Sequence, residues 1–167
     1  EIPHLGIDKL KKILPEIAGS FYGNPSSNLK LVGVTGTNGK TTSVQWLSSC
    51  LNRLGKKTGF IGTTGYGDGI NINPTKNTTP DIVTTQKILR DFKEQNKSHI
   101  AMEVSSHAID QGRIDNLKFD IKLLTNITRD HLDYHENIEN YIKCKSKFLL
   151  NAKSGGCIVI NNDDPVG

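Results

Sequence analysis

The sequence predicts an α/β fold, a mainly parallel sheet with helices on both faces. Three observations predict it. Five short apolar runs alternate with segments whose apolar residues recur at helical spacing. The first run leads through a Gly-rich turn straight into a helix. The unusual polar clusters each follow an apolar run, and in such sheets ligands bind beyond the carboxyl ends of the strands.

In chain order, Ile7, Leu10, Ile13, Leu14 and Ile17 around Pro15 read as a short connecting helix, and SFYGNPSSN (20–28) reads as a linker. LKLVGV (29–34) is the first strand. A helix from Lys40 to Leu54 shows Val44, Leu47, Leu51 and Leu54 on one face, with Gly55 as its stop. KTGFIGTTG is a second strand, followed by a Gly/Asn/Pro/Thr-rich loop from Gly65 to Pro80. A helix from Asp81 to Gln95 carries Ile82, Ile88, Leu89 and Phe92. IAMEVSS, FDIKLLTNI and CIVIN are three further strands, with a helix from Ile138 to Leu150 between the last two. Residues 1–28 are expected to be a tail and linker, and 29–167 a single domain.

Length and composition bound the function. The 167 residues suffice for one domain. With 35% hydrophobic and 23% charged residues and a mean hydropathy of −0.41, the composition is that of a soluble globular protein. No run approaches the ~20 apolar residues of a membrane helix, and EIPHLGIDKLKK lacks the apolar core of a signal peptide. The net charge of +4 is spread along the chain in both signs, with no basic patch interleaved with aromatics, so nucleic acid is not an expected partner. Cys50, Cys144 and Cys157 are odd in number and form no CxxC pair, which argues against a disulfide scaffold or zinc site and for a reducing, cytoplasmic setting. The chain lacks an initial Met and stops at Gly167, which reads as a fragment.

VGVTGTNGKTT (32–42) is the strongest signal. Gly36 and Gly39 let the backbone turn its N–H groups inward, and the helix N-terminus adds partial positive charge, so the loop suits phosphate. Lys40 is placed to reach β- and γ-phosphates and Thr41 to put its hydroxyl on Mg²⁺. The common spacing G-x-x-x-x-G-K-[ST] would need glycine at Val34; the nearest is Gly33, so a variant loop is implied.

Glu103 stands in an apolar strand, where a carboxylate is costly unless paired or bound to metal. It reads as a metal ligand facing the phosphates, or as a side chain turned out at the strand end. His131, beside Asp130 and Asp133, is open between metal ligand and surface residue, because Mg²⁺ prefers oxygen. His107, after Ser105 and Ser106, is open between catalytic and structural. His135 reads as a loop residue, and His4 and His99 as ordinary. Lys143, Lys145 and Lys147 share a helix; Lys143 and Lys147 read as a solvated face, and spacing alone does not choose among the three.

Together VTGTNGKTT, NTTP, MEVSSHAIDQGR and TNITRDHLDYH resemble the Mur ligases of peptidoglycan synthesis, from about Phe21 to Gly167. The last three resemble the branch that adds the third amino acid. The resemblance implies the P-loop central domain of such a ligase, incomplete at its C-terminal side. It implies ATP on Gly36, Thr37, Asn38, Gly39, Lys40, Thr41 and Thr42. One Mg²⁺ would lie on Thr41 and Glu103 and a second on His131. Asn77, Thr78, Thr79, Ser105, Gln111 and Arg113 would hold UDP-MurNAc-L-Ala-D-Glu. It also implies that Lys145 is carbamoylated into a carboxylate-like Mg²⁺ ligand. The catalytic set would be Lys40, Glu103, His131 and Lys145.

The reaction implied is ATP-driven amide ligation through an acyl phosphate by a cytoplasmic monomer. The incoming diamino acid, meso-diaminopimelate or lysine, would be selected beyond Gly167; the form of TNITRDHLDYH leans to meso-diaminopimelate. Domains flanking this one would bind the uridine end and complete the site, so this chain alone is expected to be inactive and, with one sheet edge open, only marginally stable. The rival readings are a folylpolyglutamate synthase-like ligase, against which VSSHAIDQGR speaks, and a non-catalytic P-loop nucleotide-binding module, against which the Glu103, His131 and Lys145 set speaks.

Overall fold

A computed structural model describes residues 6–151 and 155–167. In order these form α1 (Leu10–Phe21), a 3₁₀ turn (Pro25–Ser27), β1 (Lys30–Thr35), α2 (Lys40–Arg53), β2 (Thr58–Gly62), β3 (Gly65–Gly67), β4 (Ile72–Asn73) and α3 (Ile82–Glu94). There follow β5 (His99–Glu103), α4 (Ser106–Asp110), β6 (Ile121–Leu124), α5 (Leu132–His135), α6 (Ile138–Leu150) and β7 (Cys157–Ile160). The strands make one seven-stranded sheet in the order β4-β3-β2-β5-β1-β6-β7. All pairings are parallel except β2 with β3 and β3 with β4.

The period of two along each strand sorts residues onto two faces. Val32, Val34, Phe60 and Ala101 pack with Val44 of α2 on one side. Leu31, Ile61, Ile100 and Met102 pack on the other with Leu89 and Phe92 of α3 and Phe148 of α6. Gly33 belongs to this second face. A Cβ there would come within 2.7 Å of Phe148 and 2.8 Å of Phe119, so this glycine makes room for two aromatic rings rather than for phosphate. Lys122 also serves packing: its buried ammonium donates to the carbonyls of Phe148, at 2.6 Å, and of Asn151, closing the C-terminus of α6.

Four elements differ from expectation. The stretch 65–80, expected as loop, holds β3 and β4. A Cβ on Gly65 or Gly67 would run into the Asn73 or Asn71 carbonyl, so the glycines that suggest loop in fact permit a close antiparallel ribbon. The segment 20–28 is not a free linker: α1 runs on to Phe21, and Pro25 and Ser26 are buried. On α1 the buried residues are Pro15, Ala18 and Gly19, while Leu10 and Ile17 are exposed. Leu54 caps α2 rather than extending its apolar face and is exposed, while Ser48 of α2 is buried. Edge strand β7 is exposed along its length. His4 lies outside the described residues.

Candidate functional site

The connection from β1 runs to β2 on one side of the sheet, and that from β5 runs to β6 on the other. Adjacent strands whose connections part in this way open a crevice at their carboxyl ends. The site lies in that crevice.

After Thr35 the chain turns through Gly36 and Gly39, at φ +146° and +83°, into the first turn of α2. A Cβ on Gly36 would run into Thr125 Oγ1, so the turn needs glycine there. The segment after β6 clamps the loop. Thr37 N–H donates to Asn126 O at 2.8 Å and Asn38 N–H to Asn126 Oδ1 at 3.0 Å. Thr125 Oγ1 donates to Asn38 O at 2.7 Å. Thr37 Oγ1 donates to Thr128 O and meets the Tyr141 hydroxyl, each at 3.2 Å.

Two lysines converge on this loop. Lys40 Nζ donates to Gly36 O at 3.0 Å and Thr37 O at 2.8 Å. Lys145 Nζ donates to the same Gly36 O at 3.0 Å and to Thr35 Oγ1 at 3.3 Å. Lys145 is 1% exposed, whereas Lys143 and Lys147 face solvent. Burial, and then the charge of Lys40, pull the Lys145 amine down to about 7. Burial also lowers Lys40, against the pull of Glu103 and Asp130.

Glu103 ends β5 on the face of Ala101, towards α2. It is 1% exposed, which removes the outward-pointing reading. Its carboxylate accepts from Thr63 N–H at 2.8 Å and Thr63 Oγ1 at 3.3 Å, and none of the ion pairs among the described residues includes it. A Cβ on Gly62 would run into Glu103 Oε1, so that glycine opens the space the carboxylate fills.

Opposite the loop, Thr79 Oγ1 donates to Glu103 O at 2.9 Å and accepts from Ser105 N–H at 3.1 Å. Arg113 Nη1 donates to Thr79 O at 3.1 Å, and its Nε to Gln111 Oε1 at 2.9 Å. His131, in the left-handed region at φ 52°, has an exposed side chain 3.5 Å from Asp130. His135 is buried within the short helix α5, its ring against Tyr141, rather than in a loop. His107 sits between the rings of His131 and Tyr134, and burial, followed by the neighbouring histidines, lowers its pKa.

One cavity of about 530 Å³ gathers these groups. Thr37, Asn38, Gly39, Lys40, Thr41, Thr42, Asn77, Thr78, Thr79, Glu103, Ser105, Arg113, His131 and Lys145 all line it. Gly36 lies behind the wall, and Gln111 stands off it, holding Arg113. Thr63, Ser106, His107 and Tyr141 line it too. Tyr141 had a signal in the sequence, since it precedes Lys145 by one helical turn and so shares its face. Thr63 had none, because its role depends on strand order.

Thr41 and Glu103 offer oxygen donors, which fit a hard cation such as Mg²⁺. His131 and Lys145 do not complete a second set as they stand, because an amine carries no coordinating oxygen. Among the described residues no group of three or more His, Cys, Asp or Glu side chains is arranged to hold a metal. Nor is any helix among them long and apolar enough to cross a membrane.

Residues 34–167 match the family described as Mur ligase middle domain. The UDP-N-acetylmuramoyl-L-alanyl-D-glutamate–2,6-diaminopimelate ligase of Pseudomonas putida is 46% identical over all of this chain and 34% of its own length. The protein of the same name from Geobacter metallireducens is 38% identical, over 98% of this chain and 33% of its own. The chain thus spans about a third of the length of the curated relatives it matches. A solved structure titled as the same ligase superposes with a TM-score of 0.81 at 30% identity, covering 98% of this chain and 34% of the other. Folylpolyglutamate synthase of Mycobacterium tuberculosis superposes at 0.72 with 17% identity, covering 89% and 41%, a likeness of fold alone.

Proposed function

The chain belongs to the Mur ligase family through its middle domain, and on that premise we propose that it is the ATP-handling part of a ligase that adds meso-diaminopimelate to UDP-MurNAc-L-Ala-D-Glu. The observation that carries this reading is the single cavity in which a phosphate-type loop, two lysines, a buried carboxylate held by Thr63 and the Asn77–Thr79 and Ser105–Arg113 segments meet.

The backbone of Gly36–Gly39 and the α2 N-terminus would bind the ATP phosphates. Lys40 would exchange the Gly36 and Thr37 carbonyls for the β- and γ-phosphates, balancing charge as the phosphoryl group moves. Asn77, Thr78, Thr79, Ser105 and Arg113 would hold the dipeptide end of the sugar nucleotide, with Gln111 fixing Arg113. The D-glutamyl carboxylate would take the γ-phosphoryl group, leaving ADP, and the incoming amine would then displace phosphate. Thr41 and Glu103 would hold one Mg²⁺, and His131 with Lys145 a second; such ions neutralise charge on the transferred group. For that second set the Lys145 amine, held down at about 7, would add carbon dioxide, forming an N–C bond and releasing a proton. A cytoplasmic monomer goes with this reading, and so does inactivity of this chain on its own.

The test uses a protein of the relatives' full length that carries this chain. Phosphate release is measured with ATP, Mg²⁺ and UDP-MurNAc-L-Ala-D-Glu, adding diaminopimelate, lysine or neither. Release that depends on diaminopimelate is expected. Turnover with folate and glutamate instead would move the reading to the folate enzymes, and silence throughout would leave a nucleotide-binding module.

A further inference from the structure

We infer that Tyr134 is a positioning residue that sets two sides of the cavity at once, its ring seating the His107–His131 pair and its hydroxyl seating the Gln111–Arg113 arm. The inference deepens the ligase reading and rests on it for the kinetic half of its test.

The residues around His131 need an anchor. Helix α5 has four residues, lies between His131, in the left-handed region, and Glu136, at φ +69°, and has no side-chain cap at its start. The His131 ring lies 3.5 Å from the carboxylate of its neighbour Asp130. Two rings face its own: His107, edge-on with centroids 4.9 Å apart, and, farther off, Tyr141 of α6 at 6.4 Å. His107 lies in turn against the Tyr134 ring at 4.2 Å. Tyr134 is therefore the outer member of a stack that ends on His131, although it does not itself line the cavity.

The Tyr134 hydroxyl is committed elsewhere. It donates to Asp110 Oδ2 at 2.7 Å and accepts from Gln111 Nε2 at 3.3 Å. With its amide nitrogen so held, Gln111 turns Oε1 to the Arg113 guanidinium, which donates to it from Nε at 2.9 Å. Arg113 then reaches Thr79 O, and Thr79 Oγ1 reaches the carbonyl of Glu103. One exposed tyrosine thus ties the turn bearing His131 to the wall bearing Arg113 and Thr79, and the two ties use different atoms. Substitution can separate them.

The experiment compares Tyr134→Phe and Tyr134→Ala in the full-length protein, by selective side-chain NMR without ligand, by thermal unfolding and by steady-state kinetics. In Tyr134→Phe the Arg113 Nε–H signal is expected to move while the His107 and His131 ring signals and the Tm hold. KM for UDP-MurNAc-L-Ala-D-Glu should rise about three- to tenfold, the scale of one lost hydrogen bond, with kcat and the Mg²⁺ requirement unchanged. Tyr134→Ala should also move both histidine signals and raise the Mg²⁺ concentration for half-maximal rate. An unmoved Arg113 signal in Tyr134→Phe, or all signals moving together with a fallen Tm, would overturn the inference. Absence of ligation by the unsubstituted protein would instead overturn the ligase reading, and the NMR comparison would still decide the role of Tyr134.

Discussion

Replacing Lys145 with methionine is expected to stabilise the protein near neutral pH. The amine falls from its usual 10.5 to about 7 in the folded state, chiefly through burial. At ~1.4 kcal/mol per tenfold, keeping it in place costs about 5 kcal/mol at pH 7 or below. Methionine fills a similar volume without charge, and it loses the hydrogen bonds to Gly36 O and Thr35 Oγ1, at about 1 kcal/mol each. The net gain is about 3 kcal/mol. The sign with pH follows from proton counts. Between pH 7 and 10.5 the folded protein binds fewer protons at this site than the unfolded chain, so its stability rises with pH there. Lys145→Met lacks that rise, so its advantage shrinks across the window, is gone by about pH 9, where the remaining cost equals the ~2 kcal/mol of lost hydrogen bonds, and is reversed above it. Urea unfolding of both proteins from pH 6 to 10, in buffer freed of carbon dioxide so that the amine itself titrates, checks this. Parallel curves, or a variant less stable at pH 7, would refute the account of Lys145 as a buried amine held against its preference.

Two substitutions separate loop from scaffold. Gly36→Ala drives a methyl group into Thr125 at a φ that side chains avoid, and should weaken ADP binding more than tenfold by calorimetry. Gly33→Ala presses on Phe119 and Phe148 and should cost about 1–3 kcal/mol in denaturant unfolding, with ADP affinity kept within about twofold.

Much of this was legible in the residues. The run from Val32 through Gly36 and Gly39 to Lys40 shows strand, turn and helix together, and the turn and the helix start lie where that pattern puts them. Ile82, Ile88, Leu89 and Phe92 mark the buried side of α3 correctly. Illegible were features set by what comes opposite in space. Gly65 and Gly67 signal loop until Asn71–Asn73 is laid beside them. Helices α4 and α5 are too short to show a period. The burial of His135 depends on Tyr141 and His107, and nothing in YHEN reports it. Thr63 becomes the partner of Glu103 only because β2 neighbours β5.

Strand order also has a consequence for how the molecule comes to be folded. Lys30 of β1 pairs with His99 and Val32 with Ile121, while Thr37 and Asn38 are tied down by Asn126. A chain emerging from the ribosome therefore carries the whole Gly-rich turn long before its neighbours exist. The local bonds from Lys40 to Gly36 O and Thr37 O do not hold it alone, and closing the distant pairs is slow. The β1–α2 segment must wait as an apolar run followed by a loose turn. The turn takes its final form only when β5 and β6 flank β1 and Asn126 reaches Thr37 and Asn38.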